Sequence, residues 1–334
     1  MVRPSEDELI ARWCAPLAST GIGHRDFGDD CCSVDAPENC RLLVNVDTIV
    51  EGIHYFPEDP WDLVARKAIR TNVSDLVSKG AEQFAYMCSL CLPRDWTEES
   101  MDLLAAGLSA DNLEFGLSLL GGDITMASGN GLVVSITMFG SVPISATVPS
   151  RNRAKPNDLI YVSGVIGDSA IGLHLRRHFP LSNKLDSTTT KYFLERYLLP
   201  RPRTRLSPIV LKYANASMDI SDGFLVDLTR LCRSSNLGAQ LEKPVPVSKE
   251  AEIALNACPE LKRDIVAGGD DYEILLTVSE DKAEDLEREA RSVEVSVTRV
   301  GRIVEWSGSE RLLDLCGEYD LSSRSQSGMG FQHF

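Results

Sequence analysis

Aspartates recur in this chain beside glycines and at the ends of apolar runs: Gly28-Asp29-Asp30, Val46-Asp47-Thr48, Gly121-Gly122-Asp123, Asp219-Ile220-Ser221-Asp222-Gly223 and Gly268-Gly269-Asp270-Asp271. Glycine lets a backbone approach a ligand closely, and a carboxylate offers hard oxygen donors. Asp30, Asp47, Asp75, Asp123, Asp219 and Asp222 would repel one another strongly if gathered as bare charges, so their convergence demands several divalent cations. Donors of this kind point to magnesium, which keeps some of its waters and binds through a few carboxylates plus substrate phosphates. ATP chemistry follows from that preference. The sequence has neither a P-loop nor the protein-kinase motif set, so the common ATP folds are disfavoured.

Composition narrows the partners. The chain has 334 residues, 43% hydrophobic and 25% charged, with 49 acidic against 34 basic side chains and a formal charge of -15. That length holds two domains with real cores, and the acidic balance argues against a nucleic-acid surface or anionic lipid. Phosphates must then be held mainly through carboxylate-bound cations. Nine cysteines, two of them adjacent at Cys31 and Cys32, form no regular disulfide framework, and a reducing compartment is the simpler expectation. The start of the chain lacks the apolar core of a signal peptide and no apolar run reaches membrane-spanning length, so the protein is expected in the cytoplasm. Cys88-Ser-Leu-Cys91 lies within an apolar run and reads as buried strand cysteines rather than a zinc or redox pair.

The elements that position these residues can be read in order. Ser5 and Glu8 match a capping box for a packing helix over 5–17. The run from Leu42 predicts a strand ending at Asp47, which is either a surface strand with a solvated Asp or one that projects Asp47, Thr48 and His54 into a ligand crevice. A helix over 60–80 puts Asn72 and Asp75 on one face, either solvated or partnered. Strands at 84–92 and 132–142 flank a helix at 98–115, with a short apolar run at 117–120 leading into Gly121-Gly122-Asp123. Composition shifts to Ser, Pro, Arg and Lys over 143–158, which divides the chain into domains 1–145 and 146–334. Arg151, Arg153 and Lys155 there are solvated linker residues or contacts to nucleotide phosphate.

Farther on, a strand at 158–164 meets a glycine turn that opens a helix through His178; the turn lacks the P-loop Lys and reads as structural. At 219–223 an EF-hand is excluded because Arg230 occupies the position of its bidentate Glu, leaving helix capping or a shared ion for Asp219 and Asp222. Gly268–Glu273 precedes an apolar strand at 274–278, followed by a charged helix at 280–291 and a strand at 293–304. The end, Gly328–Phe334, is a frayed tail or a flap over a site.

Taken in order, Gly-Asp-Asp at 28–30, Val-Asp-Thr-Ile-Val-Glu-Gly-Ile-His at 46–54, Lys-Ala-Ile-Arg-Thr-Asn-Val-Ser-Asp-Leu at 67–76, Gly-Gly-Asp at 121–123, Asp-Ile-Ser-Asp-Gly at 219–223 and Gly-Gly-Asp-Asp-Tyr-Glu at 268–273 resemble the thiamine-monophosphate kinase family. The resemblance implies the two-domain α/β (α+β) fold of the PurM-like superfamily, an N-terminal half-barrel domain that pairs in a homodimer plus a C-terminal α/β domain. It also implies transfer of the ATP γ-phosphoryl group to thiamine monophosphate. By motif, Asp30, Asp47, Asp75, Asp123, Asp219 and Asp222 would ligate several Mg2+ ions, with Asn45 and Val46 contributing amide or backbone oxygens where the family usually carries hydroxyls. Gly122, Asp123, Arg151 and Ser221 would hold ATP, and His54, Asp270 and Phe331 would contact the acceptor. No general base is expected, because a phosphate monoester with a second pKa of about 6 is already largely dianionic. Asp270 in place of the usual Glu and Met126 in place of a common Arg are expected to alter affinity rather than abolish activity. The rival readings are a ring-closing synthetase or hydrogenase maturation factor of the same superfamily, and an inactive metal-binding interaction protein.

Overall fold

Ser5 and Glu8 close the expected box: the Glu8 N–H donates to Ser5 Oγ at 3.3 Å and the Ser5 N–H to the Glu8 carboxylate at 2.7 Å. They start α1, Glu6–Leu9, which continues as a π-helical stretch, Ile10–Cys14, and a 3-10 turn, Ala15–Leu17. The expected helix over 5–17 is thus α only in its first turn, and Pro16, which has no N–H to donate, falls in its closing 3-10 turn. The computed structural model describes residues 4–18, 31–129, 131–177, 184–306, 308 and 312–314. The chain divides into two units, Met1–Leu76 with Ala81–Ala146, and Val77–Gly80 with Thr147–Phe334.

In the first unit the order is β1 (Cys40–Val50), α2 (Trp61–Ser78), β2 (Glu82–Leu92), α3 (Glu98–Phe115), β3 (Ser118–Met126) and β4 (Val133–Pro143). These strands form one sheet ordered β1-β4-β2-β3, antiparallel except for the parallel β2–β3 pair. β1 runs three residues past Asp47, because Thr48, Ile49 and Val50 pair with Ser135, Val134 and Val133; Asp47 therefore lies inside the strand and not at its end. The apolar run expected at 117–120 continues as a strand through Gly121-Gly122-Asp123, which lies inside β3. α3 begins at a Thr97–Ser100 capping box and stops at Gly116, whose φ of 66° suits glycine at the C-terminal cap. α2 crosses α3 so closely that a Cβ at Gly107 would sit 2.2 Å from the Asp62 carbonyl oxygen. The crossing is fastened by Arg70, which donates from Nε and a terminal nitrogen to the buried Asp111 carboxylate at 2.8 and 2.9 Å.

The second unit runs β5 (Leu159–Ser163), α4 (Asp168–Arg176), α5 (Ser187–Leu198), α6 (Ser207–Tyr213), β6 (Ala216–Ile220), α7 (Phe224–Ser235), β7 (Gly238–Leu241), α8 (Lys249–Ala257), α9 (Leu261–Ala267), β8 (Glu273–Val278), α10 (Ala283–Ser292), β9 (Val297–Val304) and β10 (Leu313–Asp314). Its sheet is ordered β10-β7-β9-β5-β8-β6. β5, β6 and β8 are buried along their whole length, and the amphipathic α7 packs Leu225, Leu228, Leu231 and Cys232 into the same core. α4 ends at Arg176, short of His178, which lies outside the described residues. β9 begins at Val297 because Glu294, at a φ of 59°, turns the chain after α10. Val77–Gly80 joins this unit through Lys79, which donates to the Ser217 and Pro149 carbonyls, and through the Ser78 carbonyl, which accepts from Ser217 Oγ. Among the described residues no helix is long and apolar enough to cross a membrane, and the cysteines are free thiols. Cys88 is buried in β2 and Cys91 half-buried.

Candidate phosphoryl-transfer site

β1 sorts its residues by alternation. Val44 and Val46 face outward, 55% and 61% exposed, while Asn45 and Asp47 lie on the face that meets α2. Asn72 of α2 is 0% exposed, which settles its role: its Oδ1 accepts from Asn45 Nδ2 at 3.0 Å and from the Asp47 N–H at 3.1 Å. Asn45 Nδ2 also donates to Asp75 Oδ2 at 3.0 Å. One turn of helix thus brings Asn72 and Asp75 to the part of β1 that carries Asn45 and Asp47. Asn45 Oδ1 is buried with no hydrogen-bond donor. A buried acceptor lacking a donor, beside two carboxylate residues, is a donor set that fits a hard cation such as magnesium. Among the described residues no three His, Cys, Asp or Glu side chains are grouped tightly enough to hold a metal by themselves.

His54 follows β1 in a tight turn and accepts the Val50 N–H at Nδ1, 3.0 Å away. Its carbonyl takes Lys67 Nζ at 3.0 Å, so α2 anchors this turn as well. The ladder register aligns Asp47 with Ile136, Cys88 and Gly122, three strand spacings or roughly 14 Å. Asp123, one residue farther on and exposed, is too distant to share one ion with Asp47 inside this unit. Gly122 has a structural reason to be glycine: a Cβ there would lie 1.7 Å from the Cys88 carbonyl oxygen, next to the register shift at Tyr86/Met87. A cavity of about 130 Å3 opens beside these residues, lined by Trp13, Met87, Cys88, Leu104, Gly122 and Asp123 among others. Burial pushes the Cys14 thiol on its wall up to about 11, so that group stays protonated at neutral pH.

In the second unit Asp219 is buried in β6, and Ser221 and Asp222 form the turn into α7. Of the two readings left open for the Asp-x-x-Asp pair, helix capping is not made by either carboxylate. Asp227 Oδ2 accepts the Ser221 and Asp222 N–H groups at 3.1 and 3.0 Å, and the helix start at Gly223 has no side-chain cap. Burial pushes the Asp227 carboxyl up to about 6, and Arg230 bridges it to Asp222. Asp270 docks on the same turn through its N–H, 2.8 Å from the Ser221 carbonyl. Arg151 is exposed in a 3-10 turn, Arg151–Arg153. Asp30 and Phe331 lie outside the described residues.

Sequence reasoning missed a second acidic group in this unit. Asp168, Asp271 and Glu273 are all nearly inaccessible, as is Arg196 at 4%. Glu273 receives Ser163 Oγ at 2.6 Å and Arg203 Nε at 2.7 Å, with Arg196 3.5 Å away. Asp168 receives Tyr192 OH at 2.5 Å and Ser248 Oγ at 2.6 Å. Asp271 receives the Gly167 N–H on both oxygens, at 3.0 and 2.9 Å. The glycine turn therefore carries its own anion, in agreement with a structural reading of it. Burial raises the carboxyls of Asp168 and Asp271 above the usual range, and the two repel each other across the cluster. Glu273, in Gly-Gly-Asp-Asp-Tyr-Glu, stood inside a recognised motif, but its arginine partners lie 70 and more residues away and have no local signature.

Two family models match the chain consecutively: the AIR synthase related protein N-terminal domain at residues 28–142 and the corresponding C-terminal domain at 155–313. The fold and site accordingly define an AIR synthase related, PurM-like enzyme. A thiamine-monophosphate kinase from Caulobacter vibrioides is 34% identical over 309 residues, covering 91% of this chain and 86% of that protein. The crystal structure of thiamine-monophosphate kinase from Stenotrophomonas maltophilia K279a superposes with a TM-score of 0.77 at 28% identity, covering 94% of this chain and 96% of that one. AaThiL complexed with AMPPCP and TMP gives 0.75 at 25% identity, over 90% and 89% of the two chains. Within the AIR synthase related proteins, the chain belongs to the thiamine-monophosphate kinase family.

Proposed function

We propose that this enzyme transfers the γ-phosphoryl group of ATP directly to thiamine monophosphate, giving thiamine diphosphate and ADP with magnesium assistance. The observation that carries the reading is the near full-length match to thiamine-monophosphate kinases, one of them bound to AMPPCP and TMP. When bound, magnesium would supply positive charge to offset the charge that builds on the transferred group. In the first unit Asp30, Asp47, Asp75 and Asp123 supply carboxylates to these ions, with Asn45 Oδ1 and the Val46 carbonyl as neutral donors. In the second unit Asp219 and Asp222 do so. Gly122, Asp123, Arg151 and Ser221 hold the nucleotide, and the apolar cavity beside Gly122 and Asp123 takes its base. His54, Asp270 and Phe331 hold the acceptor, where an aromatic ring suits a flat heterocycle and a carboxylate suits its positive charge.

No side chain needs to remove a proton, because the acceptor phosphate is mostly dianionic above about pH 6. The residues bind and align. The exposed β1 face carrying Val44 and Val46 is the surface we assign to pairing with a second copy, since an unpaired apolar sheet face is an association surface. Incubation with magnesium-ATP and a panel of phosphorylated acceptors tests the reading. Thiamine diphosphate is the expected product, and ADP release without it, or with a different acceptor, would overturn the assignment.

A further inference from the structure

We propose that Asp271 is a positioning residue for the acceptor: it fills the glycine turn ahead of α4 and thereby holds the neighbouring Asp270 in place. The inference rests on the assignment of Asp270 to the acceptor made above. Asp271 is 1% exposed, and its two oxygens share the Gly167 N–H at 3.0 and 2.9 Å. Gly167 has a φ of 94°, and a Cβ on it would come within 2.5 Å of Ile265 Cγ2, so the turn is fitted to its surroundings without slack. On either side of Asp271 the backbone is left-handed at non-glycine residues, with φ of 67° at Asp270 and 52° at Tyr272. Residues with a Cβ keep such angles only where the surroundings over-determine them.

Here the determinants are visible. The N–H groups of Asp270 and Tyr272 each donate over 2.8 Å, to the carbonyls of Ser221 and Ile220. A Cβ at Gly269 would lie 2.3 Å from the Ser221 carbonyl oxygen, so the loop lies flat against that turn. The Asp271 side chain is the tether on the buried side. Tyr272 OH completes the arrangement by donating to Asp270 Oδ1 at 3.1 Å, which orients the carboxylate itself. Removing the Asp271 carboxyl leaves the Gly167 N–H without its acceptor and lets the two left-handed residues relax, so Asp270 moves while the chemistry of its side chain is unchanged.

Steady-state kinetics of the full-length enzyme with magnesium-ATP and thiamine monophosphate separates this role from a general loss of structure. A smaller folded fraction lowers the apparent kcat and leaves KM alone, whereas misplacing a binding group raises KM for its own ligand. Asp271→Ala is expected to raise the acceptor KM by about 10-fold or more, as loss of alignment does, with the KM for ATP unchanged. Asp271→Asn, which keeps a carbonyl oxygen for Gly167, is expected to restore the acceptor KM to within about 2-fold of wild type. If Asp271→Ala gives no folded protein, Asp271→Ser carries the same expectation at reduced size. Equal changes in both KM values, or an unchanged acceptor KM in a folded variant, would overturn the proposal. Failure of the wild-type enzyme to make thiamine diphosphate would instead remove the functional reading, and shows before any variant is made.

Discussion

The two units treat their acidic residues in opposite ways. Around Asp47 and Asp75 the bonds identified come from neutral groups, the amide of Asn45 on Asp75 and the amide oxygen of Asn72 on the Asp47 backbone, and an acceptor, Asn45 Oδ1, is left without a donor. Around Glu273, Asp168 and Asp271 the protein supplies its own neutralisation, with Arg203 and Arg196, three hydroxyls and a backbone N–H. The first set remains half-exposed and the second is sealed. Carboxylates that the fold neutralises are architecture; the half-exposed ones are those proposed above to take outside cations. A motif count alone does not separate the two kinds.

Substitutions should therefore divide by unit. Arg196→Ala removes a cation from beside two buried carboxylates that keep Arg203 and three hydroxyls, a loss bounded by the about 3–5 kcal/mol of breaking a buried pair; thermal or urea unfolding should show it, with the KM for ATP in the surviving folded fraction unchanged. If stability is retained, the sealed cluster is not structural. Asp47→Asn should act the other way, reducing turnover by about 100-fold or more through lost alignment while the melting temperature holds or rises. A turnover within a few-fold of wild type would remove Asp47 from the machinery.

The pH response sharpens the same contrast. The Asp168 carboxyl is raised above its ordinary value of 3.8, chiefly by burial, so between those two values the folded state holds a proton that the unfolded state has released. Its contribution to stability is complete below about pH 3.8 and is lost as pH rises through the higher folded value. Asp168→Asn should flatten that fall in melting temperature as pH rises from 4 toward neutrality, and an unaltered slope would contradict the assignment. The smallest effect is expected at Thr97, whose Oγ1 caps α3 by accepting the Ser100 N–H at 3.1 Å. Thr97→Ala should cost about 1 kcal/mol and leave both KM values alone; a change in either would tie α3 to the site through its N-terminus.

Much of this layout was legible in the residues, because it depends on local rules. The bounds of α3 follow from a helical pattern between Thr97 and Gly116, and the ordered acid motifs point to the family by themselves. The end of β1 was misplaced although Thr48-Ile49-Val50 is β-branched throughout and signals a continuing strand. Gly122 invited a ligand reading, and only the register shows the Cys88 carbonyl occupying the space of its missing side chain. The sealed cluster was beyond reach for a different reason. Ser163, Asp168, Arg196, Arg203, Ser248 and Glu273 come from separate elements and meet only in the folded unit, so no spacing announces them.

Isothermal titration of AMPPCP into the wild-type enzyme, once with Mg2+ and once with the divalent cations chelated, tests most directly the division between acids left for cations and acids the fold neutralises. The account predicts saturable binding with the metal and at least a 10-fold weakening without it, since polyphosphate would then face bare carboxylates. Equal affinity in both titrations would contradict it.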